Sequence, residues 1–216
     1  MNDRDKMSKR AGLELIGASI VNLGFGMPVN VANFIPDGVE VQLETENSAL
    51  GMGPTPKLGE QNSDNANAAG FPITLLPGAS IFDVGVSFGI IRGGHVDVAI
   101  LGALEVDQEG SIANWSMPSR SPGMGGAMDL VAGAKKIVIM LTHTNKAGKS
   151  KILKKCTLPL TGYGVVDMII TEKAVFKMVE GQLVLSEKDP ALSVEDVRAI
   201  TEAEFEVAAD LRDYQI

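Results

Sequence analysis

The run Val96 to Leu101, VDVAIL, constrains the fold more than any other stretch of the chain. It is short, almost wholly apolar and rich in β-branched residues, the pattern of a strand buried on both faces in a βαβ context. Phe82 to Ile91 before it reads as a helix that stops at Gly93-Gly94. Ile137 to Leu141, Val165 to Ile170 and Ala174 to Val179 read as further strands, and Gly181 turns the chain into a hairpin arm at Leu183 to Leu185. Residues 4–20 place Met7, Leu13, Leu15, Ile16 and Ile20 at the spacing of an amphipathic first helix. Asn22 to Gly26 reads as a turn, and Pro28 opens a second helix through Phe34. Ile73 to Leu76 reads as a short buried strand, and Ser193-x-x-Asp caps a short helix before a final strand. This alternation predicts an α/β fold, a mostly parallel sheet with helices on both faces. A length of 216 residues is accommodated by one domain, 1–216.

Composition excludes several classes of function. A net charge of −8 argues against a general nucleic-acid binder. No apolar run approaches the roughly 20 residues of a membrane span, and MNDRDKMSKR is too polar for a secretory signal, so a cytoplasmic protein without a membrane partner is expected. The single cysteine, Cys156, fits a reducing compartment; it reads as an inert buried thiol, or as a reactive one if Lys154 and Lys155 lower its pKa. Seven lysines and no acid lie between Lys135 and Lys155, a solvated face or an attractor of anions. His95 and His143 are far apart and accompany no nucleophile pattern, so each is read as structural or exposed, and no metal site is predicted. Trp115, after the turn Asp107 to Gly110, is assigned to the core.

Val39 to Pro54, VEVQLETENSALGMGP, carries the chemistry. Val39, Val41 and Leu43 alternate with Glu40, Gln42 and Glu44, and Glu46 stands where that strand stops. From the pattern alone, Glu44 and Glu46 are ordinary surface carboxylates. The glycines at 51 and 53 and Pro54 alter that reading, because they turn the backbone sharply and let it approach a ligand. A second glycine-rich loop, Ser119 to Gly126, leads into a helix from Ala127 to Val131. Gly125 and Gly126 there either donate backbone N–H groups to an anion or serve only as a tight turn. Residues 55–71 form a long polar excursion. Gly24-x-Gly26 is no dinucleotide fingerprint, since position 29 is valine.

TENSALGMGP at 45–54 resembles the catalytic segment of the class I coenzyme A transferases of the 3-oxoacid type, which usually reads SENG, two residues, then GxGP. IRGGHVDVAILGALEV at 91–106, ANW at 113–115, GMGGAMDLV at 123–131 and KCTLPLTG at 155–162 are similar to the other blocks of that family, in its order. The match covers nearly the whole chain and is to the β subunit, or to the carboxyl-terminal half where the halves are fused. The resemblance implies the fold shared by these transferases and ribose-5-phosphate isomerase, with Glu46 as the nucleophile that forms a glutamyl-CoA thioester. It implies that the Gly126 backbone is an oxyanion donor and that Asn47, Ser48, Gly102, Ala103 and Gly125 contact substrate or CoA. It further implies no permanently bound cofactor, coenzyme A as a substrate, acyl-CoA and carboxylic acids as partners in the reaction, and an α subunit in a heterodimer or heterotetramer.

Two departures from the family pattern stand out. Ser48 replaces the usual glycine beside the nucleophile, and would be strained by about 1–2 kcal/mol if that position needs a positive φ. Met117-Pro118-Ser119-Arg120 replaces the usual glycine and lysine after the proline. A sugar-phosphate isomerase on the same fold and a catalytically silent CoA-binding subunit or sensor are the alternatives to a transferase.

Overall fold

The computed structural model describes residues 1–121 and 123–215. Helix α1 (Asp3–Gly12) is capped by Asn2, whose side chain accepts from the Asp5 N–H at 2.8 Å. A 3₁₀ turn, Leu13–Leu15, follows it, so the amphipathic pattern read over 4–20 is two elements. Strand β1 (Ile20–Leu23) comes next and takes Asn22 and Leu23 from the expected turn, which begins instead at Phe25; Asn22 is a buried strand residue. The expected second helix is a 3₁₀ helix, Pro28–Phe34. Strands β2 (Gln42–Thr45), β3 (Ala49–Met52) and β4 (Leu75–Ile81) then lead to helix α2 (Val84–Arg92). The alternation seen from Val39 is therefore paired only from Gln42 onward.

Strand β5 (Val98–Gly102) is the buried run that the sequence marks most clearly. Strands β6 (Glu105–Asp107) and β7 (Ile112–Ala113) form the hairpin, helix α3 (Ala127–Gly133) follows the glycine loop, and β8 (Ile137–Met140) and β9 (Ile152–Leu153) come next. Strands β10 (Met168–Ile170), β11 (Ala174–Val179) and β12 (Gln182–Lys188) precede helix α4 (Val194–Ile200), which has a full Ser193/Asp196 capping box. Strand β13 (Glu206–Asp213) ends the ordered elements.

Ten strands form one sheet in the order β13-β12-β11-β10-β8-β5-β1-β2-β3-β4, and β7-β6-β9 form a small second sheet. The centre, β10 to β2, is parallel, while β10-β11-β12 and β2-β3-β4 are antiparallel. β4 corrects the expectation of a short buried strand at 73–76: it is a longer edge strand, with Leu76 and Ile81 exposed. Along β8, Ile137 and Ile139 face the core beneath α2 and α3, whereas Val138 and Met140 face the core beneath α1. Two apolar cores on one sheet explain why its central strands are apolar at every position. Strand order reverses between β1 and β5, and in open α/β sheets the crevice at the carboxyl ends of the strands at such a reversal is where ligands bind.

Candidate active site

Glu46 begins a three-residue loop between the paired residues Thr45 and Ala49. The Ser48 N–H donates to the Thr45 carbonyl at 2.8 Å, and Ser48 adopts φ 108°. A hairpin loop of this length ends on a residue of positive φ, which glycine adopts without cost and serine does not. The strain foreseen at Ser48 is therefore present, and Glu46 still reaches the crevice. Asn47 turns away from it: its Nδ2 donates to the Ala66 carbonyl at 2.8 Å and its Oδ1 accepts from the Thr45 hydroxyl. Thr45 Oγ1 also accepts from the Ala68 N–H at 3.0 Å, so this pair secures the long polar loop to the base of the hairpin.

The crevice is a cavity of about 660 Å³. Gly24 and Phe25 after β1, Glu46 after β2, and Gly102 and Ala103 at the end of β5 form its floor. Asn114, Trp115, Met117, Arg120 and the glycines at 123, 125 and 126 line it as well. Of the residues singled out from sequence, Glu46, Gly102, Ala103, Gly125 and Gly126 are thus brought together, whereas Asn47 and Ser48 are not among its walls. Trp115, assigned to the core, is half-buried in the pocket wall, its indole N–H donating to the Leu160 carbonyl at 3.2 Å. None of the seven lysines from 135 to 155 lines the pocket; Lys135, Lys136 and Lys154 pair with Asp97, Glu14 and Glu204. A second hollow of about 460 Å³ is lined by Glu109, Arg198, Glu204 and Glu206, and none of the residues singled out for chemistry lies in it.

Gly126 meets Glu46 face to face. A Cβ at position 126 would lie 2.8 Å from the Glu46 Cδ and 2.9 Å from its Oε1, closer than real contacts allow. Glycine is required there by approach, since its φ of −76° suits any residue. Burial pushes the Glu46 pKa up, the Asn22 amide and the Gly126 backbone amide pull it back, and Asp129 adds to the rise. A desolvated carboxylate facing a backbone donor across an apolar-walled cavity is suited to attack a carbonyl and to stabilise the resulting oxyanion.

Sequence reasoning missed the layer beneath. Glu44, expected at the surface, is 1% exposed. It lies in β2, opposite Asn22 in the parallel register and two residues before Glu46, on which the Asn22 amide also acts. Asn22 Nδ2 donates to Glu44 Oε2 at 2.7 Å, and Ser87 Oγ of α2 is 2.8 Å from Glu44 Oε1. The signal that could have exposed this was the two-residue spacing of Glu44 and Glu46, which gives both carboxylates one direction.

The other candidates are structural. His143 is fully buried, with its ring nitrogens 3.0 Å from Thr171 Oγ1 and 2.9 Å from Thr201 Oγ1, and burial lowers its pKa to about 4. His95 is exposed. Burial pushes the Cys156 thiol pKa far up and Asp107 and Glu105 push it further, so the neighbouring lysines do not activate it. Among the described residues no helix is long and apolar enough to cross a membrane, and no group of three His, Cys, Asp or Glu side chains is placed to hold a metal ion.

Residues 4–199 match the model of the family described as coenzyme A transferase. The chain is 50% identical over 217 residues to the beta chain of an acetate CoA-transferase of Haemophilus influenzae, covering 100% of this chain and 97% of that one. It is 51% identical over 206 residues to the B chain of a probable succinyl-CoA:3-ketoacid coenzyme A transferase of Bacillus subtilis, covering 95% of each. In fold it is similar to an acyl-CoA transferase apoenzyme from Escherichia coli O157:H7, with a TM-score of 0.81 at 24% identity over 99% of this chain; it spans 43% of that chain's length.

Proposed function

Because the chain belongs to the coenzyme A transferase family, we propose that it is the nucleophile-bearing subunit of a 3-oxoacid-type CoA transferase and that Glu46 is the nucleophile. The observation that carries this reading is the approach of the Gly126 backbone to the Glu46 carboxylate within the cavity at the strands' carboxyl ends.

Glu46 attacks the thioester carbonyl of an acyl-CoA, forming an acyl–glutamyl anhydride and releasing CoA thiolate. The thiolate then attacks the glutamyl carbonyl of that anhydride, which expels the first carboxylate and leaves a glutamyl-CoA thioester. A second carboxylate reverses the two steps and departs as its own acyl-CoA. No general base is needed, because glutamate is ionised at neutral pH. Its raised pKa makes the ionised form a better nucleophile than a solvated carboxylate. Each addition produces an oxyanion, and the Gly126 N–H is the donor this chain offers it; a lost donor of this kind costs about 3–4 kcal/mol elsewhere. Gly102, Ala103 and Gly125 leave room beside Glu46 for the thioester.

The substrates in this reading are short-chain acyl-CoAs and a 3-oxoacid such as acetoacetate, in line with the relatives' names. Those relatives are the beta or B components of their enzymes, so an α partner completes the site and supplies the remaining oxyanion donor. The silent-subunit reading loses ground because Ser48 holds its positive φ without withdrawing Glu46 from the pocket. Glu46→Ala, assembled with its α partner, is expected to lose CoA transfer while keeping its circular-dichroism spectrum and melting behaviour. Transfer at the wild-type rate would sink the assignment.

A further inference from the structure

Glu44 is a buried titratable group beside Glu46 that the mechanism does not use. Glu44 has no cation to compensate it: among the described residues, no lysine, arginine or histidine forms an ion pair with it. The elements packed against it bring Asn22 from β1, Ser87 from α2 and Leu50 from β3, none of which titrates. The amino end of α2 is already matched by Asp83, whose Oδ1 accepts from the Gly85 and Val86 N–H groups. The charged group that bears on it is Glu46, a second carboxyl two residues on, which raises its pKa. Asp129 bears on Glu46 and is engaged by Arg92 at 2.7 Å.

Asn22 adds an independent observation. Its Oδ1 is buried without a hydrogen-bond partner, while its Nδ2 serves Glu44. An orphaned acceptor of this kind costs roughly 1–3 kcal/mol. Nδ2 also lies 3.4 Å from the Glu44 carbonyl oxygen, and the same amide lowers the Glu46 pKa; turning it over would aim Oδ1 at the Glu46 carboxylate and at that carbonyl, so the orphan is explained by the need to keep N–H groups on this side.

We propose that Glu44 is held as a neutral carboxylic acid and acts as a positioning residue, fixing the Asn22 amide towards Glu46 without adding a second negative charge beside the nucleophile. The inference rests on Glu46 being the nucleophile. In the neutral form Glu44 Oε1–H donates to Ser87 Oγ, and Oε2 accepts one Asn22 N–H, leaving the other to be shared between the Glu44 carbonyl, 3.4 Å from Nδ2, and Glu46. The Ser87 hydroxyl proton is then free for the helix carbonyl four residues back. Burial and the neighbouring Glu46 both raise the Glu44 pKa, in keeping with this state. When Glu44 ionises at alkaline pH, the added charge disfavours the oxyanion that forms beside it, and transfer falls.

The test has two arms, the first independent of activity. Infrared spectra of the protein at neutral pH are expected to contain a carboxylic-acid C=O band that persists in Glu46→Gln and disappears in Glu44→Gln. Should Glu44→Gln fail to fold, Glu44→Asp is expected to shift the band. Absence of such a band, or its loss with Glu46→Gln alone, would overturn the proposal while leaving the nucleophile assignment standing. In the second arm, with the α partner present, the ratio of Glu44→Gln to wild-type kcat/KM is expected to climb about tenfold from mildly acidic to alkaline pH, because glutamine mimics the neutral acid throughout. Parallel profiles would show that Glu44 has only a packing role. If the folded wild-type enzyme forms no adduct on Glu46, the function reading fails, whatever the band shows.

Discussion

The carboxylates under α1 and those at the carboxyl ends of β1 and β2 are all withdrawn from solvent, and they are treated in opposite ways. Under α1, Arg10 gives Nε and Nη2 to the two oxygens of Glu187, each at 2.8 Å, and Nη1 to Glu14, which Lys136 also meets at 2.6 Å. Burial raises the Glu14 pKa, but Lys136 and Arg10 outweigh it and hold the group below its usual range. At the carboxyl ends of β1 and β2, Glu44 and Glu46 meet only amides and a hydroxyl, and burial leaves both pKa values raised. The first cluster ties α1 to the far strands of the sheet and is chemically quiet. The second leaves both groups without a cation and with raised pKa values, the setting that functional sites tend to have. What separates structure from chemistry here is the partner of each glutamate, not its burial.

Removing Glu187 should break the comparison on the structural side most severely. Glu187→Ala leaves Arg10 buried without its bidentate partner, an expected loss of about 3–5 kcal/mol in denaturant unfolding. On the catalytic side, Gly126→Ala drives a methyl group into the Glu46 carboxylate, and kcat is expected to drop about 10²–10³-fold with little change in melting temperature.

The pH dependence of stability should differ in sign between the clusters. The lowered Glu14 pKa contributes stability that is present above the unfolded value of 4.5 and lost as pH falls through the folded value. The raised Glu46 pKa contributes stability that is complete below 4.5 and lost as pH rises through the folded value. Melting curves should therefore show Glu14→Gln below the wild type at neutral pH and Glu46→Gln above it, with both differences shrinking in acid. The smallest effect is expected at the hairpin: Ser48→Gly relieves a positive φ and should add about 1 kcal/mol of stability. A loss of stability there would mean that the serine side chain is engaged in the assembly.

The legible parts of the sequence were those with local causes. Apolar runs marked β5, β8 and β11, the Ser193 box marked α4, and the glycine loop marked the start of α3, because each is decided within a few residues. Glu46 stands out from its motif, and the positive φ at Ser48 is the condition under which the replaced glycine predicted strain there. Asn22 was read as part of a turn because β1 is only four residues long and its strand character depends on β2 and β5, which pair with it from distant segments. Glu44 was taken for a surface group for the same reason, since the burial of its face is supplied by α2. Edge strand β4 was misplaced because exposed residues carry little periodic signal.

The measurement that bears most directly on this account is intact-protein mass spectrometry of the chain, assembled with its α partner and mixed with acetoacetyl-CoA, followed by borohydride reduction and peptide mapping. The account predicts a CoA-sized adduct that borohydride removes, with the reduced residue mapped to Glu46. Tight binding of CoA without an adduct would contradict it, and would make this chain a binding subunit in which the Ser48 hairpin marks a silent site.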